Sequence, residues 1–228
     1  SVLVWRTLNL IVFHGVRPDR IFLGTFTEKG AHQIRERLRA LLAMVTAATG
    51  TPYDISQMAT GTVHSICHRL LLDRRLAVPG TRPTAPALLD AFDQYQFVYA
   101  TRRWSRLLEA SGLDEHGNER ITDYFEARTS ASRHRAVANT LAFFNRLSEE
   151  SIAPNSRRPR DPILRALLKM YTAYLEILVE DEDRPRCDLS LIQAHAYRRI
   201  EENPAGRKLF DYVIVDEYQD TNQSQLEL

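Results

Sequence analysis

Residues 21–45 read IFLGTFTEKGAHQIRERLRALLAMV, and the period of their apolar residues changes part-way along. Ile21 to Phe26 is an apolar run of strand length, introduced by the turn-like VRPDR of residues 16–20. Beyond it Ala31, Ile34, Leu38, Leu41, Leu42 and Val45 fall on one helical stripe, while His32, Arg35, Glu36 and Arg39 face away. The stretch therefore predicts strand, turn, helix. Thr27 has the side chain of an N-cap, and Glu28 sets an anion in the first turn, where the helix dipole favours one. Gly30 in the same turn costs about 1 kcal/mol against alanine, and nothing in the sequence offsets it.

The plan recurs at once. ISQMATGTVHSICHRLLLDRR, residues 55–75, predicts a second short strand, a Gly-Thr turn and a helix beginning near His64. The proline- and glycine-rich VPGTRPTAP of residues 78–86 ends that helix and marks a boundary. From residue 87 to about 183 the periodicity is helical with almost no strand signal; PNSRRPRDP and GLDEHGN supply loops, and Arg157, Arg158 and Arg160 read as a solvated face. The alternating pattern then returns: CDLSLIQAHAYRRIEE is amphipathic, NPAGR is a stop, and FDYVIVDE is a continuous apolar strand. A run apolar on both sides suits the interior of a parallel sheet covered by helices. The expected organisation is an α/β lobe over residues 1–85, an all-helical insertion over 86–184, and the rest of the lobe over 185–228.

Composition narrows the class. The 228 residues carry a net charge of +1, with 44% hydrophobic and 26% charged residues, values ordinary for a globular chain. No global field points to nucleic acid or membrane. Only Lys29, Lys169 and Lys208 are lysines among 30 basic residues; arginine forks suit phosphates and base edges, and a codon habit of the host genome produces the same excess. Cys67 and Cys187 have no metal or disulfide spacing, so a reducing, cytoplasmic setting is expected. No apolar run approaches the ~20 residues needed to cross a bilayer, and SVLVWRTLNLIVF at the start reads as a buried helix.

DYVIVDEYQDTNQ, residues 211–223, sets Asp216, Glu217 and Asp220 at the end of an apolar strand. Ligands of α/β sheets gather beyond the carboxyl ends of the strands. Adjacent strand residues point to opposite faces, so Asp216 and Glu217 are expected to divide their work, one holding a cation and the other facing a reacting molecule. A Walker B strand supplies that division: Mg²⁺ takes one or two carboxylates and fills its shell with water and phosphate oxygens, and the second acid polarises water for attack on a γ-phosphate.

Three blocks in order resemble the UvrD/Rep-like superfamily 1 DNA helicases. TFTEKGAHQIRER looks like motif Ia of that family, TGTVHSICHRLL like motif Ib, and VIVDEYQDTNQSQLEL like its DExQD motif II; VLVWRTLNLI is similar to the helix after the phosphate loop. The resemblance implies a P-loop NTPase (RecA-like) parallel sheet with helices on both faces, interrupted by the helical insertion. It implies that Asp216 coordinates the Mg²⁺ of Mg-ATP, that Glu217 activates water, and that Gln219 and Asp220 lie beside the nucleotide. Thr25, Phe26, Thr27 and Lys29, with Thr62, His64 and Ser65, would line a path for single-stranded DNA, Phe26 stacking on bases and the start of the second helix favouring phosphate. Three positions depart from the family: Glu28 stands where Asn is usual, Gly30 where Ala is, and Val63 where Phe is.

G-x-x-x-x-G-K-[ST] does not occur in the sequence. The resemblance places that loop immediately before Ser1 and a second motor domain, with its arginine finger, beyond Leu228, so these residues alone are expected to be inactive. The expected parent is a 3′ to 5′ ATP-dependent helicase or translocase working at single-strand/duplex junctions, alongside repair or replication proteins. Two other readings stay open from the residues: a metal-dependent nuclease using Asp216, Glu217 and Asp220, and a non-catalytic module whose helical part binds DNA or protein.

Overall fold

The computed structural model describes residues 2–77, 84–113, 116–127, 132–156, 159–181, 183–203 and 208–227. Contacts divide the chain into two units, residues 1–85 with 195–221 and residues 86–194 with 222–228. The proline-rich boundary at 78–83 and Arg157 and Arg158 lie outside the described residues.

In the first unit, β1 (Ile21–Thr25) is the middle of a three-stranded parallel sheet in the order β2-β1-β5, with β2 at Ala59–Thr62 and β5 at Tyr212–Val215. Leu23 stands opposite Thr60 on one side and Ile214 on the other, so side chains of one parity share a face. On the face of Ile21, Leu23 and Ile214 pack helix α1 (Val2–Val12), through Val4, Leu8 and Ile11, and helix α2 (Glu28–Thr49), through Ile34, Leu38 and Leu42. Helix α3 (Val63–Leu71) takes the other face, where a Cβ on Gly61 would meet Ser65 Oγ at 2.4 Å and Ile66 Cγ1 at 3.6 Å.

Three local expectations change. The apolar run of β5 predicts burial on both faces, yet Tyr212 is 41% and Val213 66% exposed, and β5 is an edge of the described sheet. Helix α1 buries one stripe only, leaving Trp5 exposed, and Phe13 just beyond its end is exposed as well. No turn separates β2 from α3, since Thr62 ends the strand and caps the helix in one step.

The second unit holds α4 (Ala91–Tyr99), α5 (Thr101–Ser111), α6 (Gly117–Glu126), α7 (Arg133–Glu149) and α8 (Pro162–Val179). Their apolar stripes meet around Leu107, Phe144, Leu167, Met170 and Tyr174, all essentially without solvent contact. The unit is not wholly helical: β3 (Ala87–Leu89) pairs in parallel with β4 (Arg186–Asp188). Three residues per strand leave too little alternation to be read from sequence, and only their pairing defines them. The same pairing draws residues 185–194 into this unit, so the division falls within helix α9 (Leu191–Glu202) rather than at residue 185.

Asp188 anchors that return. It is 2% exposed, and its Oδ2 accepts from Tyr174 Oη at 2.7 Å and Gln94 Nε2 at 3.0 Å, while Oδ1 accepts the backbone N–H of Leu191 at 2.9 Å. Burial, then the Asp188 carboxylate, push the Tyr174 hydroxyl far above its usual range, so it stays a donor. Tyr174→Phe should leave the buried carboxylate one donor short and lower stability by about 1.5–3 kcal/mol, read as a lower urea midpoint at unchanged slope.

Candidate functional site

Parallel register brings the carboxyl ends of all three strands together. Thr25 pairs with Thr62 across β1 and β2, and the backbone N–H of Asp216 donates to Gly24 O at 3.0 Å. Chain direction reverses into helix α2 at Thr27, into α3 at Thr62, and into a 3-10 turn, Tyr218–Asp220, after β5.

Thr27 caps α2 through its side chain, accepting the N–H of Gly30 at 3.0 Å. A methyl on Gly30 would press on Thr27 Oγ1 at 2.9 Å and Thr25 Oγ1 at 3.0 Å. The glycine's helix cost is thus offset by the room it leaves for two hydroxyls at the strand exit.

Thr62 joins the two corners. Its Oγ1 accepts the N–H of Ser65 at 3.2 Å, capping α3, and donates to Glu28 Oε1 at 3.0 Å. Ser65 Oγ donates to Thr62 O at 2.9 Å. Glu28 therefore has a structural partner on the neighbouring corner. Thr25 and Thr62 are buried, Phe26, His64 and Ser65 half-buried, and Thr27 and Lys29 exposed. The two buried threonine hydroxyls lie within the corner packing, and the side chains open to solvent are those of Thr27, Glu28 and Lys29.

Arg35 is not on the solvated side that the helical stripe predicts. Its Nη2 donates to Thr60 O at 2.7 Å, and Arg69 Nη2 donates to the same carbonyl at 2.9 Å. Strand β2 is the other edge of the described sheet, and two guanidinium groups cover its outward carbonyl, which closes an edge to further pairing. Burial, then the charge of Arg35, pull the Arg69 guanidinium below its ordinary value, with Glu28 opposing. Neither arginine carries a sequence signal for this role, since it depends on where the strand edge falls.

At the end of β5 the geometry differs from the alternating-pleat expectation. The strand stops at Val215, and Glu217 is left-handed, φ 53° and ψ 46°. The Asp216 and Glu217 side chains are separated by this turn rather than by a strand pleat. A non-glycine residue there is uncommon, at a cost of roughly 1–2 kcal/mol, and such strain gathers at functional sites. Asp216 is half-buried, Glu217 and Gln219 are exposed, and Gln219 Nε2 donates to Glu217 Oε2. The side chain of Asp220 lies outside the described residues. Among the described residues no group of three or more His, Cys, Asp or Glu side chains converges as a metal cluster, and no helix is long and apolar enough to cross a membrane.

The model of the UvrD/REP helicase N-terminal domain matches residues 1–228. The chain belongs to that family. This UvrD/REP-type chain is 27% identical to DNA helicase II of Haemophilus influenzae over 230 aligned positions, covering 98% of the chain and 27% of that protein. It is 26% identical to ATP-dependent DNA helicase UvrD1 of Mycobacterium tuberculosis over 238 positions, covering 99% of the chain and 26% of that protein. ATP-dependent DNA helicase SRS2 of Saccharomyces cerevisiae is 39% identical over 71 residues, 31% of this chain and 6% of the yeast protein. The chain spans about a quarter of the length of the bacterial relatives it matches end to end.

Two measurements test this corner of the UvrD/REP domain. Thr62→Val removes a cap acceptor and the Glu28 bond together, and should cost about 1–2 kcal/mol in chemical unfolding. Burial holds His64 below its usual 6.5, so the unfolded chain binds the proton more readily. Stability should then fall as pH drops from 6.5 through the folded value, with no His64 contribution above 6.5. His64→Gln should flatten that part of the profile, followed by thermal unfolding between pH 5 and 8.

Proposed function

We propose that this chain is part of the first motor lobe of an ATP-dependent DNA helicase, a P-loop (RecA-like) lobe carrying a helical insertion, whose full-length protein moves 3′ to 5′ on single-stranded DNA. What carries the reading is the parallel register of β1, which sets the Asp216–Glu217 turn and the Thr25–Lys29 and Thr62–Ser65 corners at one end of one sheet. Family membership and the DNA helicase names of the relatives agree with it.

Asp216 offers a hard oxygen donor at a backbone position fixed by the Gly24 bond, and one carboxylate with water and phosphate oxygens fits Mg²⁺. When bound with ATP, Mg²⁺ neutralises charge on the phosphate oxygens. Glu217 stands beyond the strand in the left-handed turn, exposed, and takes a proton from water. Gln219 holds its carboxylate in orientation through the Nε2 bond, and Asp220 lies beside the nucleotide. On the neighbouring corners, the ring of Phe26 stacks on a base, and Thr27 and Lys29 meet phosphates. His64 and Ser65 present the first turn of α3 to the strand, while Thr25 and Thr62 shape the backbone that presents them. ATP, Mg²⁺, single-stranded DNA and its junction with duplex are the proposed partners, with repair or replication proteins beside them in the cytoplasm.

In the full-length protein, Glu217→Gln should lower the hydrolysis rate by ~10²-fold or more, the scale of a general base, with Mg-nucleotide affinity kept. Asp216→Asn should weaken Mg-nucleotide binding itself. Both are read by steady-state phosphate release and by equilibrium binding of a fluorescent nucleotide. Hydrolysis at the wild-type rate in the Glu217→Gln protein overturns the assignment.

A further inference from the structure

A cavity of about 360 Å³ opens in the helical unit, lined by Ala100, Arg102, Arg103, Arg106 and Glu180. Three guanidinium groups and one carboxylate make this lining strongly cationic. The carboxylate is already engaged, Arg106 Nη1 donating to Glu180 Oε2 at 2.7 Å. Arg103 cannot turn away freely: its Nη1 donates to Phe97 O at 3.1 Å and its Cζ lies 3.9 Å from the centre of the Phe97 ring. Arg186 stands over the same ring at 5.5 Å, and its Nη2 lies 3.8 Å from Asp181 Oδ2. Burial first, then the charges of Arg186 and Arg102, lower the Arg103 guanidinium below its ordinary value, and Glu180 opposes them only in part.

The local backbone adds to the imbalance. Arg102 and Arg103 occupy the first turn of α5, whose N-cap, Ala100, supplies no capping side chain. Cations there meet the positive end of the helix dipole, an unfavourable placement for both. Among the described residues the fold therefore concentrates like charge around an open cavity, with Glu180 as the acid in its lining. Planar forks with several donors converging on one space match the oxygens of a phosphate.

The geometry points to a phosphate-binding site in the helical unit, formed by Arg102, Arg103 and Arg106, that takes a phosphodiester of a nucleic-acid strand or the phosphate group of a free nucleotide or polyphosphate. The site lies within the helical unit, so the inference does not rest on the roles of Asp216 and Glu217.

The test uses the 228-residue chain, with Arg102→Gln/Arg106→Gln as the principal variant. Both side chains are exposed and the helix keeps its buried Trp104 and Leu107, so melting should be nearly unchanged. Arg146→Gln/Arg165→Gln removes the same charge from other exposed positions of this unit and serves as control. Inorganic pyrophosphate is titrated by calorimetry, and a fluorescein-labelled oligonucleotide, single-stranded and duplex, by anisotropy between 50 and 200 mM salt. For a nucleic-acid source, the principal variant should bind the oligonucleotide at least tenfold more weakly, with its salt slope reduced by about 2, near one per lost phosphate contact, and pyrophosphate should compete. Loss of pyrophosphate binding with oligonucleotide binding intact assigns the site to a free nucleotide or polyphosphate. The inference is overturned if the principal variant binds both probes as the wild type does, or if the control loses as much as it does.

Discussion

Everything at the candidate site depends on β1 being paired in parallel on both sides. Its five residues are all buried, and the register sets Gly24 against Gly61 on one side and Val215 on the other. Because side chains alternate, a slip of one residue would carry Ile21 and Leu23 out of contact with α1 and α2 and turn Phe22 and Gly24 inward. Burial of that stripe therefore fixes which residues reach the strand ends. The hydrophobic core and the chemistry share one register, so the corners at Thr27, Thr62 and Glu217 are consequences of packing that takes place a few residues earlier.

Each corner solves the same difficulty in a different way. A chain leaving a strand end for a helix exposes N–H groups that need acceptors. At Thr27 and Thr62 a threonine hydroxyl provides one, and Thr62 uses its remaining proton to hold Glu28. After β5 no side chain caps the short 3-10 turn; the backbone turns instead through a left-handed glutamate. That arrangement is costly for stability alone, where glycine would turn with less strain. The general-base role proposed for Glu217 would supply the reason for a carboxylate at that position.

The sequence carried the elements that obey a period. The run from Ile21 gave its strand to within one residue and the stripe from Ala31 to Val45 gave its helix, which continues to Thr49, and Thr27 was legible as a cap because capping is local chemistry. What was not legible depends on neighbours distant in sequence. Arg35 looks like any solvated helix position until the free edge of β2 is known. Gly30 looks like a penalty until Thr25 and Thr27 are placed around it. The exposure of Val213 follows from which strands flank β5, and a hydrophobic string does not encode that. The separation of Asp216 from Glu217 came from a turn where a pleat was the natural expectation, because nothing about a glutamate announces a positive φ.

Arginine use shows how a chain with almost no net charge still builds cationic places. Several of its arginines serve backbone carbonyls or nearby acids: Arg35 and Arg69 cover Thr60 O, and Arg75, Arg39 and Arg146 pair with acids close in sequence. Surface pairs of this kind contribute little to stability, typically about 0.2–1 kcal/mol, and mainly cancel local charge. The group at the start of α5 differs because its members face one space in which, among the described residues, Glu180 is the acid that lines it. Net charge averages these arrangements away. The field near a site is set by which guanidinium groups remain uncompensated within about a Debye length, ~8–10 Å at physiological salt, so a total of +1 is compatible with strongly cationic patches on either unit.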